Sequence, residues 1–129
     1  MHIRIITPER TVLEMGEVEH IMLPSEAGEM GVLPGHIATV VQLGVGRIRV
    51  EGGEEPVILA TSGGFVEILE DEVTVLAETA EVAEEIDVER AERARDRAEE
   101  LLNRHDAEVD DASIRASLSR AMNRIHVAR

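Results

Sequence analysis

Arginine residues are gathered in one acidic stretch of the chain, "IDVERAERARDRAEELL", which spans residues 86–102. Four arginines stand there among six acids, in a chain that has 13 basic residues, 27 acidic residues and a formal net charge of -14. All the basic residues are arginines, and the planar guanidinium group stays charged and suits carboxylate or phosphate ligands. Arg90, Arg93 and Arg97 recur at intervals of three and four residues, which places them near one face of a helix. The first candidate chemistry is therefore anion binding.

A second set of arginines lies near the end of the chain, where residues 112–129 contain four arginines and no acid. Arg120 and Arg124 share one face of a helix and can meet the first set across an antiparallel helix pair as a phosphate-binding cluster. Two alternatives stay open. The exclusive use of arginine over lysine can reflect a GC-rich genome, and the arginines of the first helix can pair with neighbouring acids in a solvated lattice that stabilises by a few tenths of a kcal/mol per pair. The acids available for that lattice are Glu89, Asp96, Glu99 and Glu100.

Signatures of catalysis and metal binding are missing from the sequence. It contains no cysteine, G-x-S-x-G motif, P-loop or dinucleotide fingerprint, and "GEMGVLPGH" has its glycines at the wrong spacing and lacks a lysine. The histidines do not pair at two- or four-residue spacing, so a metal site would have to be assembled by folding. We predict no metal site, no catalytic residue and no enzymatic activity of the chain by itself. The histidines are His2, His20, His36, His105 and His126.

The composition argues against two classes of partner. The negative net charge repels nucleic acid and anionic lipid, and one phenylalanine without tyrosine or tryptophan leaves little for base stacking. No stretch approaches the run of about 18 apolar residues that is typical of a membrane-spanning helix. We predict no nucleic-acid binding, no direct membrane insertion, and an aliphatic core in which Phe65 is the aromatic anchor.

Up to about residue 80 the apolar residues alternate with a period near two, in short β-branched runs separated by glycine, proline or acidic turns. Gly52 and Gly53 mark a hairpin turn, and Gly63 and Gly64 are suited to a positive φ or a close backbone approach. Many short strands at this spacing are typical of a β sandwich or a flattened barrel. The predicted strands lie in "HIRIITP", "EVEHIMLPS", "HIATVVQLG", "GRIRVEGG", "EPVILATSG", "GFVEILED" and "EVTVLAET".

Beyond residue 86 the sequence pattern favours helices. Asp87 is a good N-cap for a first helix that is rich in alanine, glutamate, arginine and leucine. After polar residues 103–111, a second helix is predicted from about Ser113, with Asp110 or Asp111 near its start. Small residues on the first helix and an apolar stripe on the second allow an antiparallel hairpin. These residues are Ala91, Ala94 and Ala98 on the first helix and Ile114, Leu118, Ala121, Ile125 and Ala128 on the second.

The change of pattern predicts two domains, a β domain of residues 1–82 and a helical hairpin of residues 86–129. The charge distribution supports the division, since residues 1–80 contain 14 acids and 4 arginines whereas residues 81–129 contain 13 acids and 9 arginines. Two helices alone bury little apolar surface, so the hairpin is expected to pack against the β domain or against a partner. We expect a movable element, with residues 80–85, "AEVAEE", as the candidate hinge.

Four segments in this order, "PSEAGEMGVLPGH", "SGGFVE", "VTVLAETAE" and "IDVERAERARDRAEELLN", closely resemble the epsilon subunit of the bacterial F-type ATP synthase. The resemblance covers essentially the whole chain. It implies a β sandwich of about ten short strands followed by a C-terminal antiparallel two-helix hairpin. It also implies a non-catalytic subunit of the rotating central stalk in a proton-translocating or sodium-translocating synthase, peripheral to the cytoplasmic face of the bacterial plasma membrane.

The resemblance implies three sets of partners. The β domain would contact the gamma subunit and the ring of membrane subunits, with the loop from Gly28 to His36 facing the ring and Glu29 and His36 as its polar contacts. The hairpin would alternate between a folded position on the sandwich and an extended position that enters the catalytic head and inhibits ATP hydrolysis. The residues that would meet acidic segments of the head are Arg115, Arg120 and Arg124.

The segment "IDVERA", residues 86–91, matches the I/L-D-x-x-R-A pattern by which some bacterial members of that family bind ATP. The resemblance implies no obligatory cofactor and ATP as a regulatory ligand, with Asp87 and Glu81 at the adenosine side or orienting arginines. One alternative is a purely structural coupling subunit without nucleotide sensing, and another is an unrelated small-ligand or enzyme domain on a sandwich. The ATP-binding residues implied are Glu81, Ile86, Asp87, Arg90, Ala91, Arg97, Arg120 and Arg124.

Overall fold

The computed structural model describes residues 1–104 and 110–128. Within these residues eight strands are followed by a short 3-10 turn, Ala83–Glu85, and two helices. The strands are β1 His2–Ile6, β2 Thr11–Met15, β3 His20–Ser25, β4 Gly28–Val32, β5 Thr39–Glu51, β6 Val57–Ile68, β7 Glu72–Ala77 and β8 Ala80–Val82. The helices are α1 Val88–Arg104 and α2 Asp111–Ala128.

The strands follow the order β2-β1-β7-β6-β5-β3-β4, and β8 pairs with β6. Every neighbouring pair is antiparallel except β1 with β7, which is parallel. The two long strands, β5 and β6, pair with each other along nearly their whole length. β6 also pairs with β8 near its start and with β7 near its end. Each long strand covers two of the seven predicted segments, and β2, β4 and β8 lie outside those segments, so the described residues hold eight strands where about ten were expected. The predicted β sandwich followed by a two-helix hairpin is confirmed.

The core of the sandwich is aliphatic, as predicted, but Phe65 is not part of it. Val66 and Ile68 point inward and are fully buried, so the alternation along β6 turns Phe65 outward, where it is 54% exposed. Its register partner Leu76 is 52% exposed on the same outer face. The prediction of Phe65 as a core anchor is therefore wrong, because strand register and not residue type decides which face a side chain takes.

The glycine pair before Phe65 has the backbone that the sequence predicted. Gly63 and Gly64 have φ angles of 77° and 120°. A Cβ atom on Gly64 would overlap the carbonyl oxygen of Leu76 and lie 2.9 Å from Ala77 Cα. Glycine is thus required here both by the backbone angle and by the closeness of β7.

Carboxylate caps define the start of both helices. Asp87 Oδ1 accepts a hydrogen bond from the Arg90 N–H at 3.0 Å, which confirms Asp87 as the N-cap of α1. Asp110 Oδ1 accepts from the N–H groups of Ala112 and Ser113 at 3.1 and 3.4 Å, so α2 begins slightly before the predicted Ser113. The predicted connection between the helices falls largely on residues 105–109, which include His105 and lie outside the described residues.

The hairpin rests on the sandwich through a small apolar cluster that is separate from the sandwich core. Its buried members are Ala60 of β6, Ile86 before α1 and Val127 of α2. The predicted helix faces are largely confirmed, although Ala94 is exposed and Leu118 and Ala128 are only half-buried. The predicted face residues that are buried are Ala91, Ala98, Ile114, Ala121 and Ile125.

One polar side chain of α2 also connects the hairpin to the sandwich. The amide Nδ2 of Asn123 donates hydrogen bonds to the carbonyl oxygens of Gly46 at 2.8 Å and Thr61 at 3.4 Å. These two acceptors are register partners on β5 and β6. A single amide thus ties α2 to both long strands and fixes the position of α2 on the sandwich.

The variant Asn123→Asp is expected to weaken this docking by about 2 kcal/mol, because a carboxylate of the same shape cannot donate to two carbonyls and repels them. Amide hydrogen exchange in α2 should accelerate accordingly, whereas exchange in the sandwich core should not change. The matched control is Asn103→Asp, an exposed position on α1. Equal exchange rates in both variants would contradict a docking role for the amide.

Candidate functional site

A cleft opens where the hairpin meets the last strand of the sandwich. Glu81 is held on β8, whose register pairs it with Ala60 of β6, while Arg90 lies in the first turn of α1 and Arg124 lies near the end of α2. Chain elements that are distant in sequence thus converge on a cleft of about 170 Å³. Its lining residues are Glu81, Asp87, Arg90, Ala91, Ala94 and Arg124.

An ion pair spans the cleft from the hairpin to the sandwich. Arg124 Nε donates to Glu81 Oε1 at 2.6 Å, and both side chains are partly buried. A charge-assisted hydrogen bond of this length fixes the direction of the guanidinium group. Asp87 faces the same cleft while its Oδ1 caps α1, so its carboxylate has both a structural contact and access to a ligand.

The structure brings together five of the eight residues that the resemblance implied for ATP binding and places three elsewhere. Ile86 is buried in the docking cluster. Arg97 lines a different, largely apolar cleft of about 240 Å³ between the helices, which shares only Ala94 with the first. Arg120 donates from its guanidinium to Ser117 Oγ at 3.1 Å. Helical spacing alone therefore did not locate all members of the arginine sets at one point.

A second and larger cleft of about 380 Å³ continues from the first. The two clefts share Glu81, Arg90 and Arg124, and the larger one extends to the turn between β1 and β2, where it is lined by Arg10. Arg10 was not among the residues predicted for the site. No helical spacing signals it, because strand pairing in the sandwich is what brings this turn close to the hairpin.

The segment from Gly28 to His36, predicted as a loop, is strand β4 over Gly28–Val32, so only its last residues belong to a loop, at an exposed end of the sandwich. Glu29 is exposed on β4, and His36 is half-buried with its Nδ1 hydrogen-bonded to the Ile37 carbonyl oxygen at 2.7 Å. Leu33 and Ile37 beside them are 60% and 82% exposed. The predicted contacts were the polar residues and did not include these apolar ones, although clustered exposed apolar side chains are typical of a protein contact surface.

Other charged groups lie away from the cleft. Arg49 Nε donates to Glu51 Oε1 at 2.6 Å on β5, and this hydrogen bond lowers the pKa of the Glu51 carboxyl.

Among residues 1–104 and 110–128, no cluster of three or more histidine or acidic side chains could hold a metal ion. No helix in the described part of the chain is long and apolar enough to cross a membrane.

The whole chain matches two adjoining family models. Residues 1–83 match the beta-sandwich domain of the ATP synthase Delta/Epsilon chain, and residues 84–129 match its long alpha-helix domain. The chain belongs to the ATP synthase delta/epsilon family. The predicted resemblance to epsilon subunits is thereby confirmed, because the curated relatives are named ATP synthase epsilon chain.

These epsilon relatives match over nearly their full length. The epsilon chain of Bacillus licheniformis is 42% identical over 129 residues, which cover 100% of this chain and 98% of that one. The epsilon chain of Bacillus subtilis is 44% identical over 126 residues, covering 98% and 95%. That of Desulforamulus reducens is 43% identical over 124 residues, covering 96% and 93%.

Solved ATP synthases contain chains with the same fold. A chain of the Euglena gracilis mitochondrial ATP synthase, in a structure of OSCP, F1 and c-ring, superposes with a TM-score of 0.81 at 28% identity, covering 94% of this chain and 76% of that one. A chain in the central stalk and c-ring of the Tetrahymena thermophila enzyme gives a TM-score of 0.68 at 10% identity, which shows the fold alone. The epsilon-family chain is a non-catalytic subunit of the central stalk of an F-type ATP synthase complex.

Proposed function

We propose that this epsilon-family subunit couples rotation in the central stalk to the catalytic head, and that its hairpin inhibits ATP hydrolysis under the control of bound ATP. ATP would bind in the cleft between the hairpin and the sandwich and hold the hairpin folded. The coupled ion is a proton or a sodium ion, and the subunit lies at the cytoplasmic face of the bacterial plasma membrane as a peripheral component.

The observation that carries the regulatory part is the convergence of Arg90 and Arg124 with Glu81 and Asp87 in one cleft. Two guanidinium groups suit a phosphate chain, and two carboxylates beside them suit the hydroxyl and amino groups of adenosine. The small side chain of Ala91 leaves room for the ligand between them. Arg97 and Arg120 lie outside this cleft and would join the site only after rearrangement on binding.

A ligand can hold the hairpin folded only if it binds the folded arrangement more tightly than the extended one. The cleft meets this condition, because Glu81 belongs to the sandwich while Arg90 and Arg124 belong to the hairpin. Extension would separate these groups and destroy the site. When ATP is scarce, the small docking cluster, the hydrogen bonds of Asn123 and the Arg124–Glu81 ion pair still favour the folded position.

The sandwich and the hairpin would each contact different subunits of the complex. Glu29 on β4, together with His36 and its apolar neighbours in the loop that follows, would contact the ring of membrane subunits, and the sandwich would also contact the gamma subunit. In the extended hairpin, Arg115, Arg120 and Arg124 would meet acidic segments of the catalytic head, since α2 carries no acidic residue after Asp111. The charge of α2 is thus suited to an acidic partner.

Calorimetric titration of ATP and ADP into the purified chain, with and without magnesium, tests the proposed site. We expect saturable ATP binding, and the variant Arg124→Ala should weaken it about 30-fold, because a charged hydrogen bond to phosphate contributes about 2 kcal/mol. Arg115→Ala is the matched control, since it removes the same charge from an exposed position on the same helix.

Two results would contradict the ATP site. The absence of binding at millimolar ATP would leave Arg90 and Asp87 as parts of a capped, solvated helix, and the chain as a purely structural coupling subunit. Equal weakening by Arg115→Ala and Arg124→Ala would show that ATP responds to net charge and not to the cleft. Failure of the chain to bind the gamma subunit would instead contradict the stalk assignment.

A further inference from the structure

We propose that Arg10, in the turn between β1 and β2, is a further phosphate-binding residue of the cleft and favours ATP over ADP. This inference rests on the proposed ATP site and adds to it a residue from the sandwich that lies far outside the "IDVERA" segment. Arg10 would contact the terminal phosphate, which only the triphosphate carries.

The volumes of the two adjoining clefts indicate that the phosphate chain would extend toward Arg10. The cleft at Asp87 has a volume of about 170 Å³, whereas pockets that hold ligands of this size usually have roughly 300–1,000 Å³. The adjoining cleft adds about 380 Å³, and the two meet at Arg90 and Arg124. A nucleotide with adenosine near Asp87 and its inner phosphates at the shared arginines would therefore extend its outer phosphate into the cleft that Arg10 lines.

The backbone of Arg10 is held in place before any ligand binds. The Thr7 N–H and the Thr7 hydroxyl donate to the Arg10 carbonyl oxygen at 2.9 and 3.2 Å. The Arg10 N–H donates to Thr7 Oγ1 at 3.4 Å. Pro8 further restricts the turn by fixing its own φ. The base of the Arg10 side chain is thus fixed at the rim of the cleft, which lowers the entropic cost of using it.

Arg10 decides the net charge of the side chains that line the larger cleft. Three arginines line it, Arg10, Arg90 and Arg124, and three acids do so as well, Glu9, Glu78 and Glu81. The cleft lining is therefore neutral with Arg10 and negative without it. Since carboxylates repel phosphate, loss of Arg10 should weaken the binding of the more highly charged nucleotide most.

The present partner of Arg10 is easily displaced. Its guanidinium lies 3.7 Å from Glu85 Oε2, and these side chains are 58% and 63% exposed. An exposed pair at this distance contributes little, so a phosphate can replace the carboxylate. Glu85 then acts as a weak competitor, and its neutralisation in Glu85→Gln should strengthen ATP binding.

Calorimetric titration of the full chain with magnesium ATP and magnesium ADP tests the role of Arg10. We expect Arg10→Ala to weaken ATP binding about tenfold and ADP binding less than about twofold. Arg4→Ala is the matched control, because Arg4 also forms an exposed pair at 3.7 Å, with Glu14, and does not line the cleft. Glu85→Gln should strengthen ATP binding about twofold, and this gain should disappear in the double variant with Arg10→Ala.

The possible results distinguish an error in the ATP site from an error in the role of Arg10. If the wild-type chain binds no ATP, the ATP site itself is wrong. If the wild-type chain binds ATP and Arg124→Ala weakens binding as expected, but Arg10→Ala matches Arg4→Ala, the site stands and the role of Arg10 is wrong. Equal loss of ATP and ADP affinity in a folded Arg10→Ala chain would also overturn its assignment to the terminal phosphate, with thermal unfolding as the check on folding.

Discussion

Deletion of residues 86–129 is expected to raise the ATP hydrolysis rate of the assembled complex about fivefold or more. The proposed inhibition requires the hairpin to enter the catalytic head, and a coupling free energy of about 1 kcal/mol already corresponds to a fivefold change. The effect should be largest at low ATP, where the hairpin would be extended. Comparison of hydrolysis rates for complexes with full-length and truncated subunit, measured across a range of ATP concentrations, checks this result.

The truncated subunit should still fold and assemble, because the sandwich core contains no residue of the hairpin. Its fully buried side chains come from the strands and the connection before β3, whereas the deletion removes only Ile86 and Val127 from the buried set of the docking cluster. Ala60 and Ile58 become more exposed, which is a small apolar area. Co-purification of the truncated subunit with gamma is the measurement of intact assembly.

The full-length variant Asn123→Asp is an informative companion to the deletion. It loosens the folded hairpin without removing it, so it should lower the hydrolysis rate at intermediate ATP concentrations, where the wild-type hairpin is still partly folded, while the deletion raises that rate. Opposite changes from the two variants would be difficult to explain by a general effect on assembly. An unchanged rate in completely assembled truncated complexes would show that the hairpin only braces the stalk.

Much of the fold is predictable from the sequence because local rules decide it. Asp87 caps α1 as predicted, and the alternation of apolar residues predicted most of the strand segments. The strand ends were less predictable. Glycines near residues 44–46 and 63–64 suggested breaks, yet β5 and β6 continue through both places. Glycine permits a bend within a strand as well as its end, and only the pairing partners distinguish the two.

The candidate site was predictable only where local helical spacing determines the position of a residue. The spacing of α1 and the sequence match indicated Arg90, and the spacing of α2 indicated Arg124, and both line the same cleft. Helical periodicity, however, fixes the face of each helix and not the height at which two helices meet, so Arg97 opens to another cleft. Arg10 belongs to a strand turn, and only the tertiary arrangement of the sandwich shows that it lines the same cleft as the hairpin arginines.

Replacement of Gly64 by alanine is expected to lower the free energy of unfolding by about 4 kcal/mol, the largest effect of a single substitution that we expect in the sandwich. Two costs act together. The φ angle of 120° is strained for any L side chain, and the added Cβ overlaps the Leu76 carbonyl oxygen. That oxygen belongs to the backbone of β7, so it cannot turn away as the end of a side chain could. Urea denaturation measures the loss.

Gly16→Ala provides the control, because a Cβ there has no heavy atom within 4 Å and its backbone is not in the left-handed region. Its effect should stay within about 0.5 kcal/mol. Relief of the strain at Gly64 requires β7 to move away from β6, which would also disturb the pairing of Phe65 with Leu76 and shift the parallel contact of β7 with β1. The cost of the substitution therefore spreads across the central strands. A loss in Gly64→Ala no larger than that in Gly16→Ala would show that β6 and β7 separate easily at this point.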